Sequence, residues 1–157
     1  DCLLSRGLGD VYKRQCDIRL ATKDAKFSIG ETKLGLVADV GVIQRMPKIV
    51  SSGDMNELAL TGRIFDGEHA EKIRFVSKAY GNSDELFEAG EKLANEISSN
   101  SKRIVQATKE ALEKSSNLTV DQGLEYAKLW STSFLVSEDL REGVMAFLEK
   151  RDPKFNE

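Results

Sequence analysis

The order of the hydrophobic patterns constrains the fold of this chain more than any other feature, because strand patterns come first and helical patterns follow. Residues 16–22 and 25–29 alternate apolar and polar side chains, as half-buried strands do. From residue 53 onward the pattern is almost wholly helical, with one further short strand over residues 75–80. Two or three short strands do not make a stable sheet alone. We therefore predict an α/β chain with few strands and a mostly helical C-terminal region, truncated so that its other strands belong to a missing N-terminal portion.

Capping residues predict where the shorter helices begin and end. Asp39 is positioned to cap a helix over residues 40–46. A second helix is expected to begin at residue 53 or 54 and to stop at Gly62, since glycine suits the left-handed conformation that follows many helices. A third, short helix is expected over residues 67–73.

Four longer helices are expected in the C-terminal half. Ser83, Thr119 and Ser137 are typical N-cap residues for three of them, and Pro153 is expected to end the last. The positions expected to face inward, helix by helix, are Leu86, Gly90, Leu93 and Ile97; Ile104, Thr108, Ala111 and Leu112; Leu124, Ala127, Ser131 and Phe134; and Leu140, Val144, Phe147 and Leu148.

The composition is that of a soluble globular domain and argues against two classes of partner. The chain has 157 residues, of which 40% are hydrophobic and 31% charged, and this is enough for a compact core. Its net charge is −3 and its isoelectric point about 5.4, so no basic face for a nucleic acid or a membrane surface is expected. No apolar run approaches the roughly 20 residues that span a bilayer.

Histidine and cysteine usage argues against metal sites and nucleophilic catalysis. Cys2 and Cys16 form neither a disulfide framework nor a zinc-binding spacing. The single histidine, His69, lies in a polar run and is expected to be exposed. Ser–His and Cys–His schemes need a partnered base, so we expect neither of them, and we expect no metal.

The first fifteen residues fit poorly with the rest of the chain. Residues 1–15 show no period and lack the sustained apolar core of a signal peptide. We expect this segment to be a non-native leader, and we leave it out of the functional argument.

Residues 31–39, which we call the two-acid segment, carry the main candidate chemistry. Glu31 and Asp39 bracket an otherwise largely apolar, glycine-containing stretch between a strand end and a helix start. Carboxylates on a loop held by a rigid scaffold are common proton-transfer groups. Two simpler interpretations stay open at this point: Asp39 as an ordinary helix cap, and Glu31 as a solvent-facing strand end.

Three groups of residues resemble a known enzyme family. The first reads CDIR at residues 16–19, FSIGE at 27–31 and LGL at 34–36. The second reads QRMP at residues 44–47 and LTGR at 60–63, and the third REGVMAFLEKR at 141–151. In this order they resemble the crotonase, or enoyl-CoA hydratase/isomerase, superfamily over residues 16–157. The resemblance implies a crotonase-like ββα spiral fold, with residues 16–80 in its core and residues 81–157 as a helical region for trimerisation and coenzyme A contact.

Within this family the likeness is to dienoyl-CoA isomerases. These carry an acid at both acidic positions, whereas hydratases usually have glycine at the position of Asp39. The implied reaction moves the double bonds of a 3,5-dienoyl-CoA to a 2,4-dienoyl-CoA, with Glu31 acting at C2 and Asp39 at C6, or the reverse. The alternatives are an enoyl-CoA hydratase and a non-catalytic acyl-CoA-binding or oligomerisation fragment. A purely helical interaction domain is disfavoured by the strands.

The resemblance also implies the remaining contacts of the site. Phe147 and Lys150 match positions that contact coenzyme A, with the lysine at a nucleotide phosphate. Acyl-CoA is the substrate, and no separate cofactor is expected. The implied assembly is a homotrimer or a dimer of trimers. The location would be cytoplasmic in a bacterium, and mitochondrial or peroxisomal in a eukaryote.

Two departures from the family pattern stand out. The oxyanion hole, which stabilises an enolate through backbone N–H groups, is expected from segments upstream of Cys16 that this chain does not match, so the chain alone is expected to be inactive. Arg74 stands where the family often ends a helix with glycine, a position that favours a left-handed backbone and costs another residue about 1 kcal/mol.

Overall fold

The computed structural model describes residues 16–39 and 41–155, which form two compact units. The first unit extends to Gly90 and the second begins at Glu91. The leader expected over residues 1–15 lies outside the described residues. That segment and the domain boundary expected after residue 80 stay predictions.

The first unit alternates short strands with short helices. Its described elements are β1 (Leu20–Thr22), β2 (Lys26–Ser28), a 3₁₀ turn (Glu31–Leu34), α1 (Val42–Arg45), a second 3₁₀ turn (Met46–Lys48), α2 (Ser52–Thr61), β3 (Ile64–Asp66), α3 (Gly67–Lys72) and β4 (Lys78–Tyr80). Helix α4 (Ser83–Ser98) begins in this unit.

The strands form two small sheets. β1 pairs with β4 in parallel, and β2 pairs with β3 in antiparallel register with Phe27 opposite Phe65. The three predicted strands are present but shorter than expected. β3 was not predicted, because its three residues lie within a stretch that otherwise has helical character and are too few to show a period.

Aromatic rings fill the core of the first unit. Phe27 stacks on Phe65 with ring centroids 5.5 Å apart, and Phe75 meets both rings edge-on at 5.4 and 6.2 Å. Val42 and Leu58, from α1 and α2, are almost completely buried beside them. This core fixes the positions at which the two-acid segment leaves β2 and enters α1.

The helix starts of the first unit correct two predicted caps. The described part of α1 begins at Val42, after Gly41 in a left-handed conformation with φ 86°, so Asp39 is not its N-cap residue. α2 begins at Ser52 and is capped by Ser51, whose Oγ accepts from Asp54 N at 3.1 Å. The predicted stop at Gly62 is confirmed by its φ of 58°.

The second unit contains the rest of α4 and three further helices: α5 (Lys102–Ser115), α6 (Val120–Phe134) and α7 (Glu138–Glu149). Thr119 and Ser137 cap α6 and α7 as predicted, and Thr119 does so in a reciprocal capping box with Gln122. For α4 the cap is Asn82 instead of Ser83, since Asn82 Oδ1 accepts from Glu85 N at 2.9 Å. α7 ends at Glu149, before Pro153 is reached.

The predicted inward faces of the second unit are not buried, although Phe134, Leu140 and Val144 are among the predicted positions that line one shared cavity. Among its described residues only Ser101, Ala107, Asp139 and Ala146 are buried, while Leu112, Leu124 and Phe147 are 63–82% exposed. Hydrogen bonds between single side chains link the helices of this unit. One example is Tyr126, whose hydroxyl donates to Glu110 Oε1 at 3.1 Å. Such contacts hold the helices together without covering their apolar faces.

A search of the described helices for one long and apolar enough to cross a membrane finds none.

Candidate functional site

The Glu31 end of the two-acid segment is anchored to α2. Glu31 opens the 3₁₀ turn, and Gly35 closes it in a left-handed conformation with φ 74°. Thr32 Oγ1 donates to Ala59 O in α2 at 2.6 Å, and Leu36 N donates to Glu31 O at 3.0 Å. The backbone that carries Glu31 is therefore tied to a helix that packs into the core.

The Asp39 end is set by the turn into α1. Ala38 is buried, while the next residue, Asp39, is exposed. The carbonyl of Asp39 accepts from Val42 N at 3.0 Å, and Gly41 O accepts from Arg45 N at 3.0 Å. Asp39 thus contributes its backbone oxygen to the start of the helix, and this leaves its carboxylate available for other partners.

Neither carboxylate is engaged by the chain around it. Glu31 is half-buried and Asp39 is exposed, and neither side chain makes a hydrogen bond or an ion pair with residues 16–39 or 41–155. Between them Leu34, Leu36 and Val37 are 76%, 62% and 80% exposed. Exposed apolar side chains between two acids that have no partner in the described ranges suit an apolar substrate that exchanges protons at two places.

Phe147 lies on the last turn of α7 in the second unit, and Lys150 directly follows that helix. Phe147 is 82% exposed, so it is not a core residue of this unit. It lines a cavity of about 510 Å³ whose walls are mainly apolar side chains of α5, α6 and α7. Lys150 follows the helix with φ 55°, and its ammonium group has no partner among the residues that the structure describes. An exposed aromatic ring and a cation without a partner in the described ranges therefore lie three residues apart in the chain at this helix end.

An ion-pair cluster beside Lys150 was not predicted from the sequence. The Arg151 guanidinium meets Glu142 through two bonds of 2.6 and 3.0 Å and Glu149 through one of 2.6 Å. The bonds from Arg151, together with the backbone N–H of Lys154, lower the pKa of Glu142 to about 2. Glu142 and Arg151 are nine residues apart, a spacing that gives no helical signal, because the contact forms only after α7 ends and the chain turns back.

Two buried polar side chains of the second unit were also missed. Ser101 Oγ donates to Asp139 Oδ2 at 2.7 Å, and the same Oγ accepts from Ile104 N at the start of α5. Arg103 Nε lies 3.5 Å from the same Asp139 oxygen. The helix-capping role of Ser101 could have been found from its position ahead of α5, but its link to α7 could not.

His69 contacts an aromatic side chain of the first unit. His69 is half-buried instead of exposed, and its ring meets Phe65 edge-on with centroids 5.8 Å apart. Its backbone N–H is bonded to Asp66 Oδ1, the cap of α3, so the first turn of that helix holds it in place. Across the described ranges, no three His, Cys, Asp or Glu side chains are grouped to hold a metal ion.

Two carboxylates without a partner in the described ranges, with exposed apolar side chains between them on an α/β scaffold, define a candidate acid–base site. The chain belongs to the enoyl-CoA hydratase/isomerase family, whose sequence model matches residues 5–157. The family membership and the crotonase-like α/β fold expected from the sequence are therefore confirmed.

Curated relatives narrow the comparison. The chain is 49% identical over 140 residues to a mitochondrial Δ(3,5)-Δ(2,4)-dienoyl-CoA isomerase of Dictyostelium discoideum. The matched region covers 89% of this chain and 48% of that protein. The chain is 43% identical over 140 residues to the peroxisomal enzyme of the same name from Arabidopsis thaliana, with 89% of this chain and 50% of the relative covered. The chain therefore spans about half the length of the curated relatives it matches.

Solved structures support the same fold. The enoyl-CoA hydratase of Bacillus anthracis superposes with a TM-score of 0.86 at 30% sequence identity, covering 90% of this chain and 55% of that one. Hydratases and isomerases thus share this scaffold, and the choice between them depends on the residues of the site.

Proposed function

We propose that the protein containing this chain is an acyl-CoA isomerase that converts a 3,5-dienoyl-CoA to a 2,4-dienoyl-CoA. The observation that carries the proposal is the pair of carboxylates, Glu31 and Asp39, which bracket exposed apolar side chains and have no partner among the residues that the structure describes. The similarity to named dienoyl-CoA isomerases supports an isomerase and favours this substrate class.

The reaction needs proton transfer at two distant carbons. One group, as a carboxylate, removes a proton from C2, and the other, as a protonated carboxylic acid, delivers a proton to C6 as the electrons shift along the diene. A single side chain would have to travel between these positions, whereas two carboxylates on one segment serve both. Glu31 is assigned to C2 and Asp39 to C6; the reverse assignment uses the same geometry.

The enolate that forms on the thioester oxygen requires hydrogen-bond donors. Backbone N–H groups of an oxyanion hole fill this role and contribute several kcal/mol to lowering the barrier. In this proposal they come from outside the described residues, so residues 16–155 by themselves are expected to be inactive. Proton transfer between carboxylates and carbon needs neither a metal nor a redox cofactor.

Phe147 and Lys150 are proposed to hold the coenzyme A part of the substrate. The exposed ring of Phe147 offers a face for the adenine, and the unpaired ammonium of Lys150 offers a charge for a nucleotide phosphate. The proposed assembly is a homotrimer or a dimer of trimers. The proposed location is the cytoplasm in a bacterium, and mitochondria or peroxisomes in a eukaryote.

The decisive experiment replaces Asp39 in the intact protein that contains this chain. Asp39→Asn keeps the shape and removes the group that transfers the proton, so we expect 3,5-dienoyl-CoA isomerisation to fall by about 10²-fold or more, the scale of a lost acid–base group. The rise in ultraviolet absorbance as the diene becomes conjugated with the thioester reports the rate.

The matched control is Asp24→Asn, which removes an exposed aspartate in the same unit from the turn between β1 and β2. It should leave the rate unchanged. Full isomerase activity in the Asp39 variant would show that Asp39 has no catalytic role.

Enoyl-CoA hydratase is the second candidate, because structures of that name share the fold. A hydratase adds water to a 2-enoyl-CoA and is not expected to depend on Asp39. If the unchanged protein hydrates 2-enoyl-CoA rapidly, does not isomerise the diene, and is unaffected by Asp39→Asn, the hydratase assignment replaces the isomerase.

A further inference from the structure

Lys150 adopts a backbone conformation that its side chain does not favour. It is one of two non-glycine residues with positive φ among the described residues, with φ 55° and ψ 41°. Its N–H donates to Phe147 O at 3.3 Å, and the N–H of Arg151 donates to Ala146 O at 3.0 Å. This is the Schellman pattern of helix termination, in which glycine is the usual residue at the position that Lys150 occupies. A backbone outlier of this kind is a reason to look for a function.

The residues on both sides of Lys150, Glu149 and Arg151, are joined by an ion pair. Arg151 binds Glu149 directly and binds Glu142, earlier in α7, through both carboxylate oxygens. Glu142 Oε1 also accepts from the backbone N–H of Lys154 at 2.7 Å. We call Glu142, Glu149 and Arg151 the Arg151 cluster. It bonds the segment after Lys150 back onto the helix before it, and this determines the course of the turn.

The same cluster engages two acids of α7 that precede Lys150 in the chain. Glu142 and Glu149 would be the natural partners for a lysine at this helix end, but both carboxylates are bonded to the Arg151 guanidinium. A bidentate guanidinium–carboxylate pair is geometrically specific, and it holds a carboxylate more firmly than an ammonium group does. The Lys150 ammonium therefore has no partner in the described part of the chain.

We propose that the Arg151 cluster is a positioning device for Lys150: it holds the left-handed turn and occupies the carboxylates of Glu142 and Glu149, so that the ammonium stays available for a phosphate of coenzyme A. This rests on the proposed function, in which Lys150 contacts that phosphate. Glu142 and Arg151 touch no substrate in this scheme and act only through Lys150.

The test uses Glu142→Gln, which keeps the shape of the side chain and removes the charge that binds Arg151. The kinetics of the intact protein are measured with a dienoyl-CoA and with the same acyl group on pantetheine, which lacks the nucleotide. We expect KM for the CoA substrate to rise about three- to tenfold with kcat unchanged, a range typical of a weakened charged contact. KM for the pantetheine substrate should not change. A purely structural role for Glu142 would affect both substrates alike.

Two further variants sharpen the result. Arg151→Lys keeps the positive charge but loses the bidentate contact with Glu142. Like Glu142→Gln, it should raise KM for the CoA substrate while preserving the fold. Glu138→Gln removes the same charge from an exposed residue of α7 that has no ion pair among the described residues, and it should have no effect on either KM.

Lys150→Ala separates this inference from the proposed function. If Lys150→Ala raises the CoA KM and both Glu142→Gln and Arg151→Lys leave it unchanged, the positioning role is wrong and the phosphate contact stands. If instead Lys150→Ala leaves the ratio of the CoA and pantetheine KM values unchanged, the proposed contact between Lys150 and coenzyme A is wrong. The positioning role is then wrong as well.

Discussion

Among the described glycines of the first unit, Gly67 has the least space for an added Cβ. It opens α3 directly after β3, and a Cβ added there would lie 2.0 Å from Thr22 O and 3.0 Å from Lys23 Cα. Both neighbours are backbone atoms, and the Gly67 N–H is itself bonded to Lys23 O at 2.9 Å. The close approach of two chain segments, and not a turn conformation, is what requires glycine here.

Gly67→Ala should therefore destabilise the first unit strongly. Because backbone cannot move aside as a side chain can, we expect a loss of about 3 kcal/mol or more in the free energy of unfolding. Denaturant-induced unfolding followed by circular dichroism measures it.

The matched control for this change is Gly53→Ala, near the start of α2. There a new Cβ meets nothing closer than Ser51 Oγ at 3.8 Å. This change should be neutral or should stabilise the chain by up to about 1 kcal/mol. Equal effects of the two substitutions would mean that the approach of Gly67 to Thr22 is not maintained in solution.

Arg74 and Lys150 show what sequence reasoning achieves at single residues. The left-handed backbone of Arg74 was expected from the family's preference for glycine, and it is confirmed by a φ of 66°. The equivalent conformation of Lys150 was not expected, because its sequence position predicts only a charged helix end. The Arg151 cluster that accompanies it requires a chain reversal, which local sequence does not reveal.

At the scale of elements, the C-terminal end of α7 responds to pH. The pKa of Glu142 is lowered to about 2, chiefly by the Arg151 guanidinium and then by the Lys154 N–H. A carboxylate with a lowered pKa stabilises the folded state above its ordinary value of 4.5, and the contribution is lost as the pH falls toward about 2.

Glu142→Gln should therefore lower stability at neutral pH, and the difference from the unchanged chain should shrink between pH 4.5 and about 2. Denaturant unfolding at a series of pH values gives this difference directly. Glu138→Gln, which breaks no ion pair, provides the baseline. A stability difference that stays constant down to pH 2 would show that the Glu142–Arg151 pair does not hold α7 in solution.

The sequence predicted most of the helices and strands, but it did not predict which of their faces are buried. The caps at Thr119 and Ser137 and the stop at Gly62 depend on local chemistry, and they are confirmed. β3 was missed because its short run shows no period of its own. The inward faces of the C-terminal helices were predicted from periodicity, which shows where apolar residues cluster on a helix but not whether another element covers them.

At the scale of the whole molecule, the two units differ in how much they bury. The first unit buries Val42, Leu58 and Ala70 completely or nearly so, and its aromatic rings pack together. In the second unit, α6 contains no buried residue among those described. Regions with few buried contacts open more readily.

We therefore predict that hydrogen exchange separates the two units. In the 157-residue chain the slowest backbone amides should lie in α2 and α3, and those of α6 should exchange markedly faster. Exchange measured by mass spectrometry on proteolytic fragments resolves this. If the amides of α6 are as well protected as those around Leu58, something covers α6 in solution, such as a second copy of the chain.

The sequence by itself determined the family, the order of strands and helices, and the residues that are candidates for the chemistry, because these depend on local patterns and motifs. Only the tertiary structure decided what those residues are free to do. It leaves the carboxylate of Asp39 without a capping role, since the described helix begins at Val42 behind Gly41. It also pairs Glu142 with Arg151 and gives the ammonium of Lys150 no partner within the described part of the chain. Hydrogen-bond partners are determined by where the chain turns, and such turns depend on contacts between residues that local sequence patterns do not connect.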